Sequence, residues 1–493
     1  TTTKLRVVFD GSAQTTSGLS LNDILCAGPT IQPKLFKTLL RYRCFKVALS
    51  GDICKMYRCV LVQKPDDYLQ CILWRDGPDE EIRTYKLNTV TYGTKPAAFL
   101  AIRAMQQLAT DEEANFPLGA KILRRDFYVD DMLSGGDSIE EVISIRQQIT
   151  ELLAKGQFII RKWCSNESEV LKDVPRNDRE ELLKFHDGTD VTKTLGLVWD
   201  PKSDNFIFSL APIEFTSVTT KRSVLSSIAR LYDPLGLIGP AITKAKVFMQ
   251  HLWKLDLHWD ESLPQHLQTS WLEYISKLGS ISSLSFPRYV STPAANLQLH
   301  AFCDASLSAF GACLYLRSEV NDVVKVMLLC SKSRVSPLKT LTVPKLELSA
   351  ALLLAELVDV VIKTLPFVCP VHCWSDSMVV LSWIKEQPSN FHVFVSNRVA
   401  SIQKLTTGMS WHHVPTAQNP ADVLSRGIMP DELLNPSSIW QNGPSFLEFC
   451  ENDWPDNMEF IADLPERRKT ILVANSLVDL CIQCKYHILN TKF

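Results

Sequence analysis

The sequence predicts a multidomain chain of mixed α/β and α+β class, and three observations carry that expectation. The chain has 493 residues, enough for roughly three domains. Short apolar runs up to about residue 195 alternate with helical stretches and include adjacent aspartates at a turn. Residues 296–428 run as three strand-like segments, a helix, a strand, helices, a strand and a final helix. The expected division is 1–195, then a helix- and Trp-rich segment 196–295, then 296–428, then a tail 429–493 that opens on a Pro/Asn/Ser-rich linker from Pro430 to Pro444.

Composition narrows the classes. Hydrophobic residues are 46% and charged residues 22%, ordinary for a globular core and wrong for a disordered or disulfide-scaffold chain. Lys+Arg is 52 against Asp+Glu 54, a net charge of −2. That excludes a wholly basic nucleic-acid coat and leaves room for a locally basic cleft. The most apolar stretch, Ser349 to Ile362, is broken by Glu356 and Asp359, so no membrane span is expected. The chain opens Thr1-Thr2-Thr3-Lys4 without an initiator Met or a signal region, which reads as an internal piece of something longer. The 14 Cys are scattered, several in apolar runs, which suits reduced thiols in an intracellular protein.

In chain order, the first expected helix is Pro96 to Leu108. The second, Ser138 to Leu153, opens on Ser138 and Glu141, a capping-box spacing. Between them Tyr128-Val129-Asp130-Asp131 lies among apolar residues and reads as a hairpin with two carboxylates at its turn. Such a pair is costly to bury unless a cation balances it. Asp52 closes a strand-like Val47-Ala48-Leu49-Ser50. Carboxylates on neighbouring strands suit hard divalent ions and in-line phosphoryl transfer. The competing reading of an Asp-Asp pair is a solvated turn.

This block resembles the reverse transcriptase of Pao/BEL long-terminal-repeat retrotransposons. Leu5-Arg6-Val7-Val8-Phe9-Asp10-Gly11-Ser12-Ala13 resembles the fingers motif, followed by Leu21-Asn22-Asp23 and Leu25-Cys26-Ala27-Gly28-Pro29. Gly51-Asp52-Ile53-Cys54-Lys55-Met56-Tyr57, then Val90-Thr91-Tyr92-Gly93-Thr94-Lys95-Pro96, then Tyr128-Val129-Asp130-Asp131 resemble three palm motifs. Gly156 with Arg161-Lys162-Trp163 resembles the fourth, and Leu195-Gly196-Leu197-Val198-Trp199 the primer-gripping strand. The resemblance implies a palm with an incomplete fingers region and a helical thumb or connection. It implies that Asp52, Asp130 and Asp131 bind two Mg²⁺ ions, with Mn²⁺ as substitute. Arg6, Tyr57, Gly93 and Lys162 become substrate-binding positions. Arg6 would meet the triphosphate, Tyr57 would exclude a ribose 2′-OH, and Lys162 would protonate the leaving pyrophosphate. Ala98 and Lys155 depart from the family's usual Pro and Gly.

In the 296–428 block, Asp304 closes the first strand and Glu347 follows Pro344 at a helix start. Asp376 ends a strand in Ser375-Asp376-Ser377, and Asp422 opens the last helix. This is the ribonuclease H order, and four clustered carboxylates would repel without divalent metal. Cys303-Asp304-Ala305-Ser306, Lys345-Leu346-Glu347-Leu348, Trp374-Ser375-Asp376-Ser377 and Asn419-Pro420-Ala421-Asp422 resemble the Pao/BEL ribonuclease H domain. The resemblance implies two Mg²⁺ at these acids and a His that assists product release. His413 is favoured over His412 for that role because it leads into Val414-Pro415.

Lys221-Arg222-Ser223 and Leu231 to Pro240 resemble the segment joining the two enzymes, where Arg222, Lys244 and Lys246 are either phosphate contacts or a solvated basic face. Cys481, Cys484 and His487 fall short of a zinc spacing and read as a packed helix. Trp440 to Pro444 resembles the linker before the family's integrase. The implied function is an RNA-directed DNA polymerase with ribonuclease H activity. Its implied partners are an RNA template, a DNA primer, RNA–DNA hybrid, deoxynucleoside triphosphates and other parts of the Pol polyprotein. The implied setting is a cytoplasmic virus-like particle. Competing readings are a silent remnant that only binds nucleic acid and an aspartic-type peptidase. The peptidase needs Asp-Thr/Ser-Gly, which the chain lacks.

Overall fold

A computed structural model describes residues 8–180, 183–184, 190–194, 197–208, 218–291, 296–455 and 460–468. Arg6 and the Cys481–His487 cluster lie outside these residues.

The first unit follows the order α1 (Leu21–Ile24), α2 (Leu35–Tyr42), β1 (Val47–Ile53), β2 (Cys71–Trp74), β3 (Arg83–Lys86), α3 (Ala97–Asp111), α4 (Pro117–Arg125), β4 (Phe127–Tyr128), β5 (Asp131–Gly136), α5 (Ile139–Lys155) and β6 (Ile160–Ser165). β2 and β3 pair with each other, and the other four strands form one sheet in the order β4-β5-β1-β6. Side-chain alternation on β1 explains why both faces are covered. Val47, Leu49 and Ile53 pack with Met105 of α3, Ile122 of α4 and Val142 of α5. Ala48 faces the other way and joins Leu39 and Leu40 of α2. The expected cap of α5 is half present. Ser138 Oγ accepts from the Glu141 amide at 3.2 Å, while the Glu141 carboxylate accepts from Asp137 N–H at 2.9 Å instead of from Ser138.

The second unit contains β7 (Leu183–Lys184), β8 (Asp190–Thr194), β9 (Leu197–Asp200), β10 (Asn205–Ile207), α6 (Lys221–Ala229), α7 (Gly239–Trp253), α8 (Gln265–Lys277) and β11 (Ser285–Pro287), the strands lying in the order β11-β10-β9-β8-β7. The third contains β12 (Asn296–Ala305), β13 (Ala309–Val320), β14 (Val323–Val335), α9 (Val343–Ile362), β15 (Val371–Ser375), α10 (Met378–Lys385), α11 (Val393–Leu405), β16 (Ser410–His413), α12 (Pro420–Arg426) and α13 (Ile439–Asn442). Its sheet runs β14-β13-β12-β15-β16, antiparallel across the first three strands and parallel from β12 through β16. The multidomain mixed architecture and the strand–helix order are those the sequence predicts.

Two features differ from a chain of separate units. One apolar core runs from Leu39 of α2 through Trp199, Leu237 and Trp271 to the β12–β15 sheet. The 429–455 segment, expected to start as a linker, is packed. Trp440 is fully buried, its Nε1 donates to Leu237 O at 2.7 Å, and its carbonyl accepts from Tyr315 Oη at 2.6 Å. Arg317 Nε donates to Leu447 O at 2.8 Å. The physical reason is that Pro, Asn and Ser dictate local turns, whereas Trp440, Phe446 and Trp454 carry enough apolar surface to bind the segment down. No described helix is long and apolar enough to cross a membrane. The described cysteines are free, and Cys303, Cys313, Cys330 and Cys373 are buried.

Candidate active sites

The palm carboxylates meet because β1 lies between β5 and β6. Asp52 is the Cα partner of Asp131, and Ile53 N–H donates to Asp130 O at 2.9 Å. The turn between β4 and β5 sets Val129 at φ 58°, a conformation a β-branched residue adopts only under constraint. That turn puts Asp130 and Asp131 beside Asp52. Burial, then the Asp52 charge, raises Asp130 above the usual carboxylate range. Burial, then Asp130 and Asp52, pushes Asp131 up to about 7. The Asp52 and Asp130 charges therefore lie close enough to Asp131 to oppose its ionisation.

Lys162 reaches the same point from β6. The β1–β6 register shifts between Ser50 and Asp52, and Lys162 sits at φ 54°, the kind of irregularity that re-aims a side chain. Its ammonium is ion-paired with Asp52. Burial works against that charge, but the Asp52 pairing outweighs it and raises the Lys162 pKa. Tyr57 packs tilted against Tyr92, with ring centroids 4.8 Å apart and planes at 59°. Burial, then the Asp130 charge, raises its phenol. Gly93 has φ +90°, and a Cβ there would meet Phe9 O at 2.0 Å, so only glycine fits. Asn22, to which sequence reasoning gave no role, clamps this loop. Its Nδ2 donates to Gly93 O at 2.9 Å and its Oδ1 accepts from Lys95 N at 2.7 Å.

The second acidic site stands at one end of the β12–β15 sheet. β12 and β15 are parallel neighbours with Cys303 opposite Ser375, so Asp304 and Asp376 follow side by side. Glu347 lies just past the first turn of α9 and Asp422 in the first turn of α12. Burial pushes Asp304 up to about 6 against a Ser425 hydroxyl bond, and the Asp376 and Asp422 charges add to it. Asp376 is raised by burial, against a 2.9 Å bond from Thr416 Oγ1, with Asp422 adding. Glu347 is raised by burial, against a Ser377 bond, with Asp376 adding. Asp422 accepts from Arg426 Nε at 2.6 Å. All four acids are thus brought together. α12 packs down because Gly311 leaves room for Leu424, whose Cδ2 lies 2.6 Å from where a Cβ would stand.

Sequence reasoning missed the donors that aim these acids: Ser377, Thr416 and Ser425, with Asn419, which bonds Cys303 O at 3.1 Å and caps α12 at 3.1 Å to Ala421 N. The available signal was their position inside or beside the quoted motifs. His413 pairs with Ser375 on β16, one residue before Asp376. Its neighbour His412 points to the Trp374 side, stacked at 4.7 Å, and burial lowers it to about 4. Arg222, read as a phosphate contact or a solvated cation, is ion-paired with Asp260 at 2.6 Å. Lys244 is exposed. Lys246 lines a cavity with Asp233, and burial lowers its pKa.

Both sites offer only hard oxygen donors, the set preferred by Mg²⁺ and Mn²⁺. Among the described residues no three His, Cys, Asp or Glu side chains already converge at metal-holding distance. Asp52 is instead turned to Lys162, Asp304, Asp376 and Glu347 to the hydroxyls of Ser425, Thr416 and Ser377, and Asp422 to Arg426. Burial first, and neighbouring carboxylate charge second, raises Asp130, Asp131, Asp304, Glu347 and Asp376, and a divalent cation would relieve that cost. The residues present fit the ion.

Residues 220–377 match the family model of the Pao retrotransposon-like RNaseH-like domain. The match spans α6 through β15 and includes Asp304, Glu347 and Asp376, so it crosses between the second and third units just as the core does. A foamy viral protease–reverse transcriptase (dRH) in complex with dsDNA is similar at TM-score 0.51 and 13% identity, covering 80% of this chain and 62% of that one. A foamy viral protease–reverse transcriptase in complex with RNA/DNA hybrid gives TM-score 0.49 and 12% identity, over 80% of this chain and 48% of that one. The chain therefore spans less than two thirds of the length of these structures, and the first of them shows a shared fold. A search of curated proteins finds no match. Residues 220–377 thus form a Pao retrotransposon-like RNaseH-like domain, and the chain shares the fold of that reverse transcriptase structure.

Proposed function

We propose that the chain cuts the RNA strand of RNA–DNA hybrids at Asp304, Glu347, Asp376 and Asp422. The observation that carries this reading is that β12, α9, β15 and α12 each deliver one carboxylate to one sheet end, where burial and then neighbouring acidic charge raise Asp304, Glu347 and Asp376. Those four acids would hold a pair of Mg²⁺ ions, or Mn²⁺. Bound there, the ions would acidify the attacking water and neutralise the leaving 3′-oxygen. The chain itself orients the carboxylates. The Ser425 hydroxyl holds Asp304, Thr416 holds Asp376 and Ser377 holds Glu347. His413 stands beside them for product release.

Polymerisation is the second activity, supported by the opposed Asp52 and Asp131. Asp52, Asp130 and Asp131 would hold the ions there, and Lys162 keeps Asp52 balanced until they bind. Tyr57 narrows the space for a ribose 2′-OH. The substrates would be an RNA template, a DNA primer and deoxynucleoside triphosphates, read through backbone and 2′-OH contacts with weak sequence preference. Other parts of a Pol polyprotein would accompany the chain in a cytoplasmic particle. The units would be palm 1–195, connection 196–295, ribonuclease H 296–428 and tail 429–493.

The test is incubation with a 5′-labelled RNA annealed to DNA, with Mg²⁺. Cleavage that stops on chelation is expected, and an intact hybrid under every divalent ion would overturn the reading.

A further inference from the structure

Two buried arginines bind the palm to the RNase H-like sheet. Arg43 follows α2 and is 1% exposed. Its guanidinium donates to Pro287 O at 2.8 Å, Arg288 O at 3.2 Å and Leu329 O at 2.5 Å. Pro287 ends β11 and Leu329 lies within β14, so one side chain from the palm holds backbone of both other units. Arg288 is 0% exposed and reaches back. It donates to Tyr42 O at 2.5 Å and Phe45 O at 2.8 Å, and grips Asp204 with two bonds of 2.6 and 2.7 Å. Val290 N–H closes the loop on Arg43 O at 3.0 Å.

The chemistry of this tie is unusual. Arg288 has a carboxylate partner, whereas Arg43 donates to the three carbonyl oxygens of Pro287, Arg288 and Leu329. A buried cation without an anion costs stability that an apolar side chain would not. What the guanidinium supplies instead is fixed geometry, since its planar fork bonds several carbonyls at set angles. Carbonyls belong to strands, so holding them holds the sheets.

We propose that Arg43 is a positioning residue that sets the separation between the palm site and the ribonuclease H site, so that hybrid is cut at a fixed distance behind the primer 3′ end. This rests on the function proposed above. It assigns Arg43 no contact with substrate. Loss of the tie loosens the spacing without touching either set of acids.

The experiment stalls primer extension on a labelled RNA template with a chain terminator and maps the cuts. Wild type is expected to cut at one dominant spacing. Arg43→Met, similar in length but without donors, is expected to spread the cuts over several nucleotides. Its cleavage rate on a short hybrid lacking a primer end should stay within about twofold of wild type. A folded Arg43→Met with the wild-type spacing, or a wild type with no preferred spacing, overturns the inference. If the Met variant shows no cooperative thermal transition, Arg43→Lys takes its place, with a partial spread expected and unchanged spacing contradicting the tie. If wild type neither extends nor cuts, the proposed function falls, and small-angle X-ray scattering then decides the tie. A larger radius of gyration in the variant supports it, and superimposable curves overturn it.

Discussion

Asp52 and Asp131 face each other as Cα partners across the β1–β5 pairing, with Lys162 ion-paired to Asp52 from the far side. Three elements thus meet at one carboxylate. Asp52→Asn keeps the shape and removes the charge that Lys162 and a divalent ion would share. Primer extension is expected to fall by at least about 100-fold, an effect the size of losing a metal ligand. Hybrid cleavage should persist, because Asp304 and its partners stand in another sheet.

Gly93→Ala tests the loop rather than the acids. The new Cβ would collide with Phe9 O at φ +90°, pushing apart the segment that Asn22 clamps. Extension should drop while the thermal transition moves little, since the loop lies at the surface. Wild-type extension rates in Gly93→Ala would show that Tyr92 and Gly93 do not shape the substrate path.

A pH effect follows from three stacked imidazoles. His300 and His372 lie 5.0 Å apart, His372 and His412 5.4 Å, and Trp454 stands edge-on over the first two. Burial lowers all three, His300 well below its usual value and His412 to about 4. Glu451 pulls His372 and His412 upward, and Arg317 pushes His300 and His372 down. A depressed folded-state pKa gives stability that is full above about 6.5 and lost as pH falls toward the folded value, for His412 about 2 kcal/mol by pH 5. Asp233 opposes this. Burial raises it to about 6, so it favours the folded state on acidification over the same window. The raised carboxyls of Asp130, Asp131, Asp304, Asp376 and Glu347 oppose it too, so the stack is read by difference: between pH 7 and pH 5, the urea midpoint of His412→Phe should change less unfavourably than that of wild type. The same midpoint change in wild type and His412→Phe would contradict the stack's role.

The packed tail makes its own forecast. Trp440→Ala removes a fully buried indole and its bond to Leu237 O. The cost is about 3–5 kcal/mol, read as a fall in the unfolding midpoint. A shift of a few tenths of a kcal/mol would mean that the segment is only a linker after all.

What was legible in the sequence was whatever is local. Asp130 and Asp131 sit in one turn, Asp376 ends one strand, and Asp304, Glu347 and Asp422 follow from the order of strands and helices. Those features depend on short-range periodicity and turn chemistry. The Arg43, Arg288 and Asp204 network was invisible, because Arg288 meets Tyr42 and Asp204 across 246 and 84 positions and an arginine in sequence reads as a surface residue. The His300, His372 and His412 stack was hidden likewise, since strand pairing and not spacing aligns it. The tail misled because its turn-forming residues outnumber the three aromatics that bury it. The donors Ser425 and Thr416 were missed because hydroxyls so common carry no signal until a carboxylate is seen beside them.

The most direct test of two separate acid sites on one chain is to measure primer extension and hybrid cleavage together in Asp130→Asn and in Asp376→Asn. The account predicts that Asp130→Asn loses extension and keeps cleavage, and that Asp376→Asn does the reverse. Hybrid cleavage at the wild-type rate in Asp376→Asn, or extension at the wild-type rate in Asp130→Asn, would contradict it.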